Sequence, residues 1–176
     1  MVRQLSLLFP AVVSLIAVIC ASLPWGAPVS IALALPLIAL GVIFFWSLHR
    51  PGQLPSPIVF LFGVLADLAT DGPLGFWALN FLVGYAIAVY GPLGNGGRRE
   101  GVAALLLFAA TVFVVSGLSW VLTSLFFLKT MPIRPLMTGA VVAFFAYPAI
   151  TFVLTPLDRA VGLALQRTSD PQDDWL

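Results

Sequence analysis

Gly63-Val-Leu-Ala-Asp67-Leu-Ala-Thr-Asp71-Gly-Pro-Leu-Gly75-Phe-Trp-Ala-Leu79 sets a carboxylate inside an apolar segment and then breaks the chain sharply. Asp67 follows Gly63 by four residues, so the two share one face of a helix. Asp71-Gly72-Pro73 ends that helix, and Leu74-Gly75-Phe76-Trp77 starts another. Asp67 is the one acidic residue expected within the hydrocarbon of a membrane. The rest of the chain reads as scaffolding around this corner.

That membrane setting comes from composition. Of 176 residues, 61% are hydrophobic and only 9% charged, and the mean hydropathy is +1.08. Soluble domains are about 45–50% apolar and about 25% charged. Apolar runs of roughly 20 residues recur, the length that crosses about 30 Å of hydrocarbon. They are continuous rather than alternating, which excludes a membrane β-barrel. The class is an all-α integral membrane protein. A net charge of +1 offers no electrostatic footprint for nucleic acid. The lone Cys20 lies in the first apolar run, where a buried structural thiol is expected and no disulfide framework is possible.

Six helices are expected, at about 5–23, 29–47, 57–69, 74–90, 102–128 and 135–155. They form a single membrane domain over 1–167, followed by an acidic, disordered tail over 168–176. The first run is too long for a signal-peptide core and no Ala-x-Ala follows it, so it reads as a retained helix. Phe44-Phe45-Trp46 reads as an interfacial aromatic belt, and His49, the only histidine, as an interfacial loop residue. Gly94 to Gly101, with Arg98 and Arg99, reads as a solvated turn that lacks the residues of a phosphate loop. Ser116, Ser119 and Thr123 form a mildly polar stripe suited to interhelical hydrogen bonds, and Gly139 with Ala143 gives a close-packing face. Pro156-Leu157-Asp158-Arg159 ends the sixth helix, with a short interfacial helix possible over 157–166.

Six spans put both termini on one side. Arg3, Arg50, Arg98, Arg99, Arg159 and Arg167 then collect on one face, and Lys129 with Arg134 on the other. The positive-inside rule assigns the first face, with both termini, to the cytoplasm. The corner faces outward.

Enzyme chemistry lacks parts. There is no nucleophile elbow, zinc motif or phosphate loop, and no histidine or lysine stands near the two aspartates. No metal or cofactor is expected. The segments over 57–69 and 74–90 are short; such pairs around a Gly/Pro break mark binding sites in some transporters, and equally form a plain helical hairpin. Asp71 fits the turn itself, as a cap or Asx-turn residue. An ionisable group at membrane depth has a functional reading by default. For Asp67 the candidate partners are Asn80, the free amides opening the next helix, or water; the structural alternative is that it caps that helix and locks the hairpin.

The corner resembles the signature of MreD, the rod-shape-determining inner-membrane family, whose members commonly show Gly-Leu-x-x-Asp-Leu, a Gly, a Leu-Gly pair and Ala-Leu before the next helix. The matching positions are Gly63, Asp67, Gly72, Leu74, Gly75, Ala78 and Leu79. Chain length and the six-helix layout agree along the whole chain.

The resemblance implies a non-enzymatic, multi-pass scaffold of the cell-elongation machinery in the bacterial inner membrane. Its partner would be the single-span protein MreC, and through it MreB filaments and the lateral-wall peptidoglycan synthases. The corner of Gly63, Asp67, Asp71, Gly72, Pro73, Leu74, Gly75 and Asn80 would be structural or recognise a partner. The family's fold is also similar to the S components of energy-coupling-factor transporters, and Ala17-x-x-x-Ala21 resembles their small-residue contact. The rival expectation is therefore a small-molecule-binding transport subunit. Such a subunit needs a polar pocket, and Asp67 and Asn80 are the only strongly polar side chains in the expected helices.

Overall fold

The computed structural model describes residues 2–26, 28–50, 52–70, 72–92, 101–130 and 132–169. These form six helices: α1 (Val2–Ser22), α2 (Val29–His49), α3 (Ser56–Ala69), α4 (Phe76–Tyr90), α5 (Val102–Phe126) and α6 (Ile133–Ser169). No strand occurs among the described residues. Three helices are long and apolar enough to cross a membrane, over Ile31–His49, Val102–Phe126 and Ile133–Ala160. The others supply the shorter apolar helices Leu8–Ser22, Ser56–Ala69 and Phe76–Tyr90.

The core is built around α2, which packs against α1, α4, α5 and α6. Every residue from Ala39 to Leu48 is buried, as a helix apolar on all sides can be when other helices surround it. Phe44, Phe45 and Trp46 are fully buried, so the expected interfacial belt is a core instead. Phe44 meets Phe108 of α5 at 5.3 Å and Tyr147 of α6 at 5.8 Å, ring centre to ring centre. Trp46 meets Phe9 of α1 edge-on at 5.8 Å. Successive aromatics point about 100° apart around a helix of 3.6 residues per turn, and so reach different neighbours.

Small residues set the helix spacings. A Cβ on Gly41 would lie 3.0 Å from the Ile150 Cδ1 of α6, and one on Gly84 would lie 2.5 Å from the Leu40 Cδ1 of α2. Gly139 and Ala143 are also buried.

Three expectations change. Cys20 is exposed rather than buried, on the outer side of α1 with Ile16 and Ile19. Ser116 and Ser119 are buried, yet their hydroxyls have no hydrogen-bond partner among the described residues, so the expected interhelical bonds are not made there. Helix α6 runs through Pro156 to Ser169. A proline inside a helix forfeits one backbone hydrogen bond, and here the next turn is anchored. Arg50 Nε donates to Asp158 Oδ1 at 2.7 Å, and Arg50 Nη2 donates to the Asp158 carbonyl at 3.1 Å. Residues 93–100, with the Arg98-Arg99 turn, and 170–176 of the expected tail lie outside the described residues.

Candidate functional site

Helices α3 and α4 form a hairpin whose first requirement is the missing side chain of Gly63. A Cβ there would lie 2.5 Å from the Ala78 nitrogen and 2.8 Å from the Trp77 carbonyl carbon. These are backbone atoms, so no rotamer change can make room. Only glycine allows the first turn of α4 to press onto α3 at this height.

One turn further along the same face stands Asp67, 1% exposed. Its Oδ1 accepts the Trp77 N–H at 2.7 Å, and its Oδ2 accepts the Gly75 N–H at 2.8 Å and the Ala78 N–H at 3.5 Å. The first N–H groups of a helix have no partner within it. Gly75, the residue preceding α4, has no side chain to supply one. Asp67 reaches across from α3 and caps α4 in its place. The carboxylate sits at the unfavourable, negative end of its own helix, an effect offset by the positive end of the neighbour's dipole.

The connection is tied into the same group. The Gly72 N–H donates to the Asp67 carbonyl at 3.3 Å, and the Phe76 N–H to the Pro73 carbonyl at 3.1 Å. Gly75 holds φ +95°, a left-handed conformation that glycine adopts without penalty. Leu74 and Leu79 point outward and Ala78 is buried. Asp71 lies outside the described residues. Asn80 is fully buried but does not reach Asp67; its Nδ2 donates to the Phe76 carbonyl at 3.0 Å, and its Oδ1 has no partner among the described residues. Of the candidate partners for Asp67, the α4 amides are the ones it engages.

With both carboxylate oxygens on backbone donors, the site holds shape and presents little reactive surface. No group of three His, Cys, Asp or Glu side chains that could bind a metal occurs among the described residues. A cavity of about 180 Å³ adjoins the corner, lined by Phe76 and Trp77 with Leu37, Ser119, Thr123 and Pro135 among others.

The sequence stretch shows the acid, the glycines and the turn, but not Trp77 or Ala78 as the atoms packed on Gly63 and Asp67. Ala78 and Trp77 are ordinary apolar residues in an apolar chain, and their role rests on backbone atoms that every residue carries. The Arg50–Asp158 pair at the opposite end joins positions 108 residues apart, and no local pattern marks it. Compared with known protein families, curated proteins and solved structures, the chain matches none.

Proposed function

We propose that the chain is a non-enzymatic scaffold that spans the bacterial inner membrane six times with both termini in the cytoplasm, as the MreD resemblance implies. In this reading it binds the single-span protein MreC and thereby helps organise MreB filaments and lateral peptidoglycan synthesis. The observation that carries it is the engagement of Asp67: the one acid buried in the apolar hairpin has both oxygens on α4 amides. An ionisable group that expensive to bury is used here to fix a surface.

The surface it fixes suits a helix. Leu61, Leu65 and Leu68 are exposed along α3 at spacings of four and three, which place them in one stripe. A single apolar helix laid along that stripe would meet side chains rather than loops. The rival, a solute-binding transport subunit whose pocket is built on Asp67 and Asn80, needs an enclosed polar cavity at the corner. The cavity at the corner holds about 180 Å³, below the roughly 300–1,000 Å³ of typical small-molecule sites. The scaffold reading is favoured on that ground.

Single cysteines placed on this chain and crosslinked in membranes to co-expressed MreC test the proposal. The exposed Cys20 is first replaced by alanine. Crosslinks at positions 61, 65 or 68 support it; crosslinks confined to the tail at 168–176 contradict it.

A further inference from the structure

A cavity of about 1040 Å³ lies at the end of the molecule opposite the corner, between α2, α5 and α6. Its long wall is a row on α6: Tyr147, Thr151, Thr155 and Arg159 line it at four-residue spacing, hence on one face. From Tyr147 to Arg159 the row runs about 18 Å at 1.5 Å per residue. The inner part is apolar, with Phe45 and Leu105. The outer part carries Arg159 and His49 and the start of α5, at Gly101 and Val102.

The chemistry of the outer end points one way. Arg159 is exposed and has no carboxylate partner among the described residues, because Asp158 beside it pairs with Arg50. Among the described residues, no acidic residue lines the cavity. Among the described residues the α5 N-terminus has no side-chain cap, and its leading N–H groups add positive potential at the same place. At the inner end, Tyr147 is 1% exposed and its hydroxyl has no hydrogen-bond partner among the described residues.

We infer that this groove holds one anionic phospholipid, with its phosphate at Arg159 and the α5 N-terminus and its acyl chains running inward toward Tyr147. A soluble phosphate has no use for the apolar length of the groove. A zwitterionic lipid brings an ammonium group to an end where the described residues offer it no carboxylate. Acyl chains match the apolar lining, and Phe152, strongly exposed at the rim, meets the surrounding lipid. The inference does not depend on the scaffold reading.

Native mass spectrometry of the purified full chain, exchanged into an equal mixture of phosphatidylglycerol and phosphatidylcholine with identical chains, tests it. One retained phosphatidylglycerol per chain is expected, preferred about tenfold: both lipids bring a phosphate, but the choline ammonium of phosphatidylcholine is set beside the positive charge of Arg159 and the α5 N-terminus. Arg159→Gln should bring retention of phosphatidylglycerol down to that of phosphatidylcholine while helical content and unfolding temperature stay unchanged. Thr155→Phe, which fills the middle of the groove, should reduce retention of both lipids. An excess of inorganic phosphate should displace neither. Equal retention of the two lipids by the wild type, an unchanged preference in Arg159→Gln, or displacement by inorganic phosphate would overturn the inference, the last by marking a site for the ion alone.

Discussion

Gly63 of α3 and Ala78 of α4 are in contact through their backbones: a Cβ on Gly63 would lie 2.5 Å from the Ala78 nitrogen. That approach brings the opening amides of α4 within reach of Asp67, one turn along the same face. The corner therefore depends on two residues with separable roles. One permits the contact and the other caps it.

Gly63→Ala should destabilise the hairpin even though alanine is the better helix former. The gain in propensity is about 1 kcal/mol, while forcing a methyl against immobile backbone costs typically about 1–3 kcal/mol or more. Gly117→Ala is the control: Gly117 lies inside α5 and a Cβ there meets nothing within 4 Å. It should stabilise by about 0.5–1 kcal/mol. Thermal unfolding of the two variants in one detergent checks the opposite signs.

Asp67→Ala removes the acceptor for the Gly75 and Trp77 amides and leaves both without a partner. With charge-assisted bonds worth about 1.5–3 kcal/mol each, a loss of about 3 kcal/mol is expected, whereas Asp67→Asn keeps one oxygen and should lose about half as much. Unfolding temperatures that rank Asn below Ala would refute the cap.

Arg50 and Asp158, at 18% and 23% side-chain exposure, pair at 2.7 Å and tie α2 to the last turns of α6. A double-mutant cycle with Arg50→Ala and Asp158→Ala should return a coupling of about 1 kcal/mol, shrinking at high salt because the pair is partly solvated. Zero coupling at low salt would mean that α6 does not need this anchor to continue past Pro156.

Leu128 follows α5 in a left-handed conformation, φ 50°, while the Lys129 N–H reaches back to the Ser124 carbonyl at 3.2 Å. Glycine is the usual residue at that position of a helix end. The leucine side chain is 90% exposed, so little packing is lost on replacing it. Leu128→Gly should raise stability by about 1 kcal/mol, again read by thermal unfolding.

The corner is legible in the sequence because its residues stand out from their surroundings. A carboxylate inside an apolar run is a rare mark in a chain with only 7 acidic residues, and the Gly-Pro break shortly after it fixes where the helix ends. Much else is hidden for the same reason. Buried and outward faces are both apolar here, so periodicity does not tell α2, wrapped on all sides, from α5, which is exposed along Leu106, Phe113 and Leu125. Phe44-Phe45-Trp46 has the composition of an interfacial belt and the position of a core. Pro156 looks like a terminator until Arg50, from a distant part of the chain, is seen holding the turn beyond it.

The central claim is that Asp67 and its hairpin shape a surface for a protein partner and not a site for a solute. Affinity capture of the full chain from native membranes in mild detergent, wild type beside Asp67→Ala, with the captured proteins identified by mass spectrometry, tests it most directly. The account predicts MreC with the wild type and much less of it with Asp67→Ala. Capture of an ATP-driven transport module, or undiminished MreC capture by Asp67→Ala together with lost solute uptake, would contradict it.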